Sequence, residues 1–210
     1  YRAMWFAGRK HMRKTAGLKA RIFFADMANG RESDPDYRTW RLLRYSLCLR
    51  PKDGEQLSDA QMAKCPLAPR RVHASGIAFH PYSATPGHFR DSLATLEQIV
   101  DDAEQAKRMK VGRGVYFTEQ AFLTARGADA ANLGAALGVT PANQAIYSNI
   151  AERIAYENKR VRTIAQYELY DEGRGFWDCG LLNADGTPKP AFAAYKVAID
   201  VMKVDASNVK

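Results

Sequence analysis

The sequence predicts an α/β fold built around a parallel β-sheet. Four short runs of apolar residues recur along the chain, and each is followed by a segment whose apolar positions have helical spacing. The runs do not alternate between apolar and polar residues, which is typical of strands buried on both faces. Strands that alternate with helices of this length pair in parallel through right-handed crossovers.

The first predicted elements are a helix, a strand and a second helix. The helix over residues 2–15 ends at Gly17, and the strand over residues 20–25 is followed directly by Asp26. The second helix covers residues 36–49 and follows an Asp-Pro start signal. A polar, proline-containing loop then extends to about residue 72.

The second strand, over residues 75–79, leads into His80, Pro81 and Tyr82, and the apolar spacing after it predicts a helix over residues 92–108. The remaining elements are a strand over 114–118 that ends at Glu119, a helix from Thr140 to about Asn158, a strand over 161–167 and a last helix that begins near Pro190. Thr140 and Pro141 are the residue types expected at a helix N-cap and first turn.

Two architectures satisfy this order: an open doubly wound sheet, or a segment of a (β/α)₈ TIM barrel. The first strand-to-helix loop lacks a Gly-x-Gly-x-x-Gly fingerprint, which disfavours the dinucleotide-binding open sheet. A whole barrel needs eight strands and about 250 residues. Only four strands are predicted here, so the sequence predicts a half barrel in a single domain over residues 1–210. Its two edge strands would have unpaired backbone hydrogen-bonding groups. We therefore expect a partner that pairs with them, either the N-terminal half of the barrel or a second copy of the chain.

The net charge of +8 is concentrated at one end, since residues 1–75 carry 16 Lys and Arg against 7 Asp and Glu. Clustered cations are one signature of a nucleic-acid surface. We favour a solvated helix face instead, because the cations near the N-terminus interleave with apolar residues as in an amphipathic helix. A nucleic-acid partner is therefore not expected. No apolar run is long enough to predict a membrane span.

Three cysteines are present, and Cys48 and Cys65 flank a loop that a disulfide between them would close. Such a bridge predicts an oxidising, extracellular compartment, whereas two reduced thiols in a cytosolic protein are the alternative. No pair of cysteines has zinc-site spacing, and neither a metal nor a cofactor is expected. The chain begins at Tyr1 and not at Met, which suggests a processed product or a fragment.

Polar residues follow all four predicted strands, and the carboxyl ends of parallel barrel strands open into one shared cavity. The candidate substrate-binding residues are Asp26, His80, Tyr82, Gln166, Tyr167 and, in the last loop, Trp177. Three of them have a structural alternative: Asp26 could cap a loop, His80 could be a hydrogen-bonded structural histidine, and Trp177 could pack beneath its loop. Gln166 and Tyr167 alternate along the strand, so one is expected to point into the barrel and the other towards the helices.

Glu119 is the candidate catalytic residue, because a carboxylate at the end of an apolar strand is costly to bury without a partner. A salt bridge to an arginine of a neighbouring loop is the alternative explanation for its position.

Three segments resemble clan A retaining glycoside hydrolases. The run from Tyr116 to Thr124 (YFTEQAFLT) resembles their seventh-strand motif, in which the Glu after a Thr is the nucleophile. The run from Phe79 to Tyr82 (FHPY) resembles their sixth strand, especially in bacterial proteins related to families 5 and 39. The run from Gln166 to Asp171, followed by the run from Cys179 to Phe192 with its GLL, DG and KPA groups, resembles their eighth strand and final helix.

The resemblance implies that the chain supplies strands five to eight of the barrel, with Glu119 as nucleophile and the sixth-strand aromatic as its hydrogen-bond partner. The fourth-strand Asn-Glu pair that supplies the general acid/base in these enzymes has no counterpart here. The isolated chain is therefore expected to be inactive or nearly so. A catalytically silent carbohydrate-binding barrel is the main alternative, and a nucleic-acid-binding module is a third.

Overall fold

The computed structural model describes residues 2–16, 21–28, 38–49, 65, 70–112, 114–124, 138–173 and 178–208. Its helices are α1 (Arg2–Thr15), α2 (Arg38–Ser46), α3 (Pro86–Gln105), α4 (Pro141–Glu157) and α5 (Pro190–Asn208), and its strands are β1 (Phe23–Ala28), β2 (Val72–Ala74), β3 (Gly76–His80), β4 (Met109–Val111), β5 (Val115–Gln120) and β6 (Val161–Gln166). None of the helices in these ranges combines the length and the apolar character that a bilayer crossing requires.

The main sheet has four strands in the order β1-β3-β5-β6, so each long strand lies beside the next one along the chain. Ser75 N donates to Ile22 O at 2.9 Å, which joins the starts of β1 and β3, and Tyr167 N donates to Gln120 O at 2.9 Å, which joins the ends of β5 and β6. Starts that pair with starts and ends that pair with ends belong to parallel strands. The predicted α/β class with parallel sheets is confirmed.

A second sheet, of two strands, was absent from the sequence-based prediction. In it β2 and β4 pair in parallel, with Val72 opposite Met109 and Ala74 opposite Val111. Each strand has only three residues, which is too few for an alternation of apolar and polar residues to be recognised in the sequence. The prediction was wrong here, since it placed residue 72 at the end of a loop and Met109 directly after a helix.

Two other element boundaries differ from the prediction. The strand expected over residues 20–25 spans Phe23–Ala28, so Asp26 lies inside β1 and not after it. The helix expected to begin at residue 92 begins at Pro86. Thr85 Oγ1 accepts a hydrogen bond from His88 N at 3.2 Å, which is N-cap geometry. The apolar positions on which the prediction was based begin at Leu93, about two turns after Pro86, so their spacing placed the start too late.

The helix α4 begins as the sequence predicts. The side chain of Thr140 accepts a hydrogen bond from Asn143 N at 3.1 Å, and Pro141 occupies the first turn. This cap fixes the direction in which the chain enters α4 after the segment that follows β5.

The chain is composed of two compact units. The first comprises residues 1–79 and 94–116, and the second comprises residues 80–93 and 117–210. The expectation of one domain over residues 1–210 stays a prediction.

In the first unit, apolar side chains of α1, α2, β1 and β3 contribute to the buried core. Trp40 stacks on Phe79 with ring centroids 4.7 Å apart, and Trp5 meets Phe24 edge to face at 5.6 Å. A disulfide joins Cys48 to Cys65, whose Cα atoms are 5.8 Å apart. This bond ties the C-terminal end of α2 to the segment that precedes β2.

In the second unit, Phe89 of α3 packs edge to face on Phe117 of β5 at 5.2 Å, and Phe122 packs on Tyr147 of α4 at 5.6 Å. All three phenylalanines are fully buried. This packing fixes β5 between two helices, and β5 carries the side chain on which the candidate site is centred.

Candidate active site

The site is centred on Glu119, the penultimate residue of β5. Phe117 of the same strand is fully buried, whereas 34% of the Glu119 side chain remains exposed. The buried residues anchor the strand, and the side chain of Glu119 is partly exposed near the C-terminal end of β5. The sequence placed Glu119 just after the strand, and the structure places it within the last two residues.

Two side chains from the end of β3 contact the carboxylate of Glu119. The hydroxyl of Tyr82 donates a hydrogen bond to Glu119 Oε2. Nδ1 of His80 lies 3.3 Å from the same oxygen. The rings of His80 and Tyr82 meet edge to face with centroids 6.1 Å apart. The structure thus brings together the three residues that the sequence predicted at the ends of two neighbouring strands.

Both contacts fall on one carboxylate oxygen. Among the described residues, none forms a hydrogen bond or an ion pair with Oε1 of Glu119. Among the described residues, therefore, two groups hold Oε2 and none holds Oε1. Such a carboxylate is oriented and can still act as a nucleophile or accept hydrogen bonds from a ligand.

Tyr82 remains a hydrogen-bond donor over a wide pH range. Burial, together with the hydrogen bond to Glu119 and the negative charge of that carboxylate, raises the pKa of the Tyr82 phenol far above its usual range. The phenol therefore keeps its proton at neutral pH and can donate it in the hydrogen bond to Glu119.

Tyr167, the residue after β6, packs against Tyr82. The two rings meet edge to face with centroids 6.1 Å apart. Both rings pack against a small cluster of buried residues, Ala121, Leu123 and Cys179. The hydroxyl of Tyr167 is hydrogen-bonded to the carboxylate of Glu168, which together with partial burial raises the pKa of the Tyr167 phenol to about 12.

Gln166 holds the backbone of the site. Its side-chain amide donates to the carbonyl oxygens of Tyr167 at 3.0 Å and Cys179 at 3.1 Å. These bonds link the end of β6 to the segment that precedes α5. The geometry gives Gln166 a positioning role, and its predicted contact with substrate stays a prediction.

Two predicted site residues are not placed in this cluster. Asp26 is exposed in β1 with a φ of 67°, and it belongs to the first unit, whereas the cluster around Glu119 belongs to the second. Trp177 lies outside the described residues. The proposed role of each stays a prediction.

A buried ion pair that the sequence did not indicate supports the loops of the site. Nζ of Lys189 lies 2.8 Å and 3.0 Å from the two carboxylate oxygens of Asp171, and 3.3 Å from Oγ1 of Thr124. Asp171 also accepts a hydrogen bond from Gly180 N at 2.8 Å. The pair joins the segments that follow β5 and β6 to the start of α5. The only sequence signal for it was Lys189 within the KPA group.

No group of three or more metal-ligating side chains occurs in the parts of the chain that the structure describes. The chemistry available to this cluster is that of a carboxylate, a histidine and two phenols.

No protein-family model matches the chain, and no curated protein matches it. Solved structures do show partial similarity. These include the β-glucuronidase of Ruminococcus gnavus (14% identity, TM-score 0.41, covering 60% of this chain and 23% of that one), the β-glucuronidase of Lactobacillus rhamnosus (19%, 0.38, 60% and 22%) and xylanase 10B of Thermotoga maritima (18%, 0.38, 60% and 37%). The chain spans less than half of the length of each.

The geometry itself narrows the chemistry that the site can perform. A partly exposed carboxylate held through one oxygen can attack an electrophilic carbon or bind hydroxyl groups. The thiol of Cys179 is buried, and burial raises its pKa to about 12, which makes it a poor nucleophile at neutral pH. The catalytic role of Glu119 stays a prediction.

Proposed function

We propose that this chain takes part in the hydrolysis of O-glycosidic bonds in a carbohydrate, with Glu119 as the nucleophile of a retaining mechanism. The observation that carries the proposal is the contact of Tyr82 and His80 with Oε2 of Glu119, which leaves Oε1 available. The motif resemblance around these three residues supports the same assignment.

In the proposed reaction, Oε1 of Glu119 attacks the anomeric carbon while the bond from that carbon to the leaving oxygen breaks. A second carboxyl group protonates the leaving oxygen. Once deprotonated, the second group takes a proton from water, and the water oxygen then displaces Glu119 from the anomeric carbon. Two inversions leave the anomeric configuration unchanged. The positive charge that develops on the sugar in each transition state is stabilised by the neighbouring carboxylate.

We further propose that the second carboxyl group comes from outside this chain. A retaining mechanism needs two carboxyl groups about 5–5.5 Å apart. The sequence has no Asn-Glu pair at the end of a strand that could supply it. The four-stranded sheet has β1 and β6 as its edges. An N-terminal half barrel, or a second copy, would pair with both edges and close the barrel as strands one to four.

The disulfide between Cys48 and Cys65 supports an extracellular location, because such bonds persist in oxidising compartments. Intact mass measured before and after reduction and alkylation, on protein purified with free thiols blocked, tests this directly. One bridge and one free thiol are expected. Three free thiols would contradict the proposed compartment.

The experiment for the function compares hydrolysis of aryl glycosides by this chain alone and by the chain joined to an N-terminal half barrel that carries an Asn-Glu pair. Activity is expected only in the joined protein. Glu119→Gln should lower kcat by at least about 1000-fold, since it removes the nucleophile without changing the shape of the side chain.

Glu172→Gln is the matched control, because Glu172 is an exposed carboxylate in the loop after β6 and should leave kcat unchanged. A folded, joined protein that lacks activity would overturn the proposal, as would activity that survives Glu119→Gln. Carbohydrate binding without turnover would instead support a silent carbohydrate-binding barrel.

A further inference from the structure

We propose that the first unit carries a binding surface for a linear acidic polysaccharide, formed by the cations of α1, of residues 70–73 and of residues 107–110. This basic surface would bind the carboxylate groups of a polyuronate. The inference goes beyond the proposed function, because all residues of the basic surface lie in the first unit, whereas Glu119 lies in the second.

The cations come from three segments that are far apart in the sequence. Residues 2–15, 70–75 and 106–116 contain five, two and four lysines and arginines, respectively, and none of the three segments contains an aspartate or a glutamate. Sequence spacing alone does not show that these segments meet. The evidence for one surface is the set of contacts between them.

One side of α1 contacts the segment that leads into β2. Four residues of α1 lie on this side, since they are spaced by three or four positions: Arg2, Phe6, Arg9 and Arg13. The guanidinium of Arg70 lies over the ring of Phe6 at 4.5 Å, and the side chain of Arg2 donates to the carbonyl oxygen of Arg70. The three arginines of α1 therefore lie on the side of the helix that faces Arg70.

The two-stranded sheet joins this segment to the third one. In the pairing of β2 with β4, His73 lies opposite Lys110, and both side chains are exposed. Nε of Arg71 donates to the carbonyl oxygen of Met109 at 3.1 Å. Paired residues of neighbouring strands are close together and point to the same face of the sheet. The cations of β2 and β4 are therefore neighbours.

The electrostatics of His73 agree with these contacts. Desolvation, and after it the charges of four cations, lowers the pKa of the His73 imidazole: Arg71, Arg9, Lys110 and Arg13. A carboxylate is present as well, and Glu104 Oε1 accepts a hydrogen bond from Val111 N at 3.0 Å. This carboxylate is thus held by the backbone of β4.

Two of the arginines are held in place by aromatic rings. Arg9 lies over Trp5 at 5.4 Å, and Arg70 lies over Phe6 at 4.5 Å. A guanidinium that stacks through its face keeps its N–H groups in its own plane, where they can bind a carboxylate with two hydrogen bonds. Groups that are already held lose less conformational entropy on binding. Such arginines are preorganised for a polymer that presents carboxylates at regular intervals.

The choice of polymer rests on the proposed extracellular location. The disulfide between Cys48 and Cys65 belongs to the same unit as the basic surface, and such bonds persist in oxidising compartments. A polyuronate carries one carboxylate on each sugar unit and occurs outside cells. Nucleic acid is the competing polyanion, and the experiment compares the two.

The experiment measures binding of a short oligogalacturonate to the full chain by titration calorimetry at neutral pH and increasing salt. Binding is expected, with an affinity that falls as salt rises, because a polyanion releases counterions when it binds. The double variant Arg13→Gln/Lys110→Gln should weaken binding by about five- to 30-fold at low salt, since each exposed contact with an opposite charge contributes a few-fold to the affinity. Both side chains are exposed, so the fold should be unaffected.

Arg90→Gln/Lys159→Gln is the matched control, because it removes one arginine and one lysine from exposed positions of the second unit. Its net charge equals that of the first double variant, and its affinity should change by less than about two-fold. Glu119→Gln should also leave binding unchanged, which separates the basic surface from the proposed active site. In the parent chain, the bound oligomer should raise the pKa of His73, as followed by NMR, because a nearby anion favours the charged imidazole.

Three results would overturn the inference. The first is a folded chain that does not bind the oligogalacturonate at low salt. The second is equal weakening in the two double variants, which would show an effect of net charge and not of this surface. The third is tighter binding of a single-stranded DNA oligonucleotide with the same number of charges at physiological salt, which would assign the surface to nucleic acid. None of these results bears on hydrolysis by Glu119, which is measured separately.

Discussion

The hydroxyl of Tyr82 donates a hydrogen bond to Oε2 of Glu119, while Nδ1 of His80 lies 3.3 Å from the same oxygen. This arrangement orients the carboxylate without occupying both of its oxygens. The first prediction concerns the contribution of this bond to catalysis.

Tyr82→Phe should lower kcat/KM for an aryl glycoside by about 10- to 100-fold in the joined barrel, because a hydrogen bond to a charged group contributes about 1.5–3 kcal/mol. Tyr147→Phe is the matched control, because it removes the same hydroxyl from a tyrosine of α4 that packs on Phe122. Steady-state kinetics measure both variants. An unchanged kcat/KM in Tyr82→Phe would show that the contact has no role in catalysis.

The second prediction concerns a buried carboxyl on α4. Burial raises the pKa of Glu152 from 4.5 to about 7, and its Oε1 has no hydrogen-bond partner in the described structure. The raised pKa means that the folded state binds this proton more tightly than the unfolded state does. The associated stability is complete below about pH 4.5 and is lost as the pH rises through about 7.

Glu152→Gln should therefore be more stable than the parent chain at pH 8, by on the order of 3 kcal/mol, and differ little from it at pH 4.5. Urea unfolding of both proteins at the two pH values measures the difference. A stability difference that does not change between pH 4.5 and pH 8 would show that Glu152 does not titrate abnormally.

The third prediction concerns the ion pair between Lys189 and Asp171, whose side chains are 2% and 1% exposed. Lys189→Met should lower the free energy of unfolding by about 3–5 kcal/mol, because it leaves a buried carboxylate without its partner. The exposed pair between Arg153 and Glu157 provides the control, and Arg153→Met should cost less than about 1 kcal/mol. An equal decrease in the free energy of unfolding in the two variants would contradict the structural role assigned to Lys189.

The fourth prediction concerns Gly76 at the start of β3. A Cβ at this position would lie 2.5 Å and 2.7 Å from ring carbons of Tyr116 and 2.9 Å from the carbonyl oxygen of Gly114. Gly76→Ala should therefore destabilise the chain by about 1–3 kcal/mol. Gly8→Ala is the control, because a Cβ at Gly8 in α1 has open space around it and a helical alanine is favoured over glycine by up to about 1 kcal/mol.

Chemical unfolding of the two glycine variants should give changes of opposite sign. A stable Gly76→Ala variant would mean that Tyr116 moves aside at little cost. In that case the close approach of β3 to β5 would not be what requires glycine at this position.

The order of the long elements could be predicted because each one carries a strong local signal. Thr140 and Pro141 mark the start of α4, and the apolar run before Glu119 marks β5. The carboxyl ends of neighbouring parallel strands meet at one edge of a sheet, so the topology alone placed His80, Tyr82 and Glu119 close together.

Other features depend on contacts between segments that are distant in sequence. The strands β2 and β4 are stabilised by each other and have no periodic pattern of their own. Lys189 is buried only because Asp171 pairs with it, and lysine is otherwise among the residues least often buried.

The central claim is that Glu119 forms a covalent bond to the anomeric carbon of a sugar. A 2-deoxy-2-fluoro glycoside with a dinitrophenolate leaving group tests it most directly, because departure of this group needs no acid catalyst and the fluorine slows the hydrolysis of the intermediate. After incubation, mass spectrometry of peptides should find one deoxyfluoroglycosyl group on Glu119 and none in Glu119→Gln. A folded chain that carries the label on another residue, or acquires none even when joined to an N-terminal half barrel, would contradict the account.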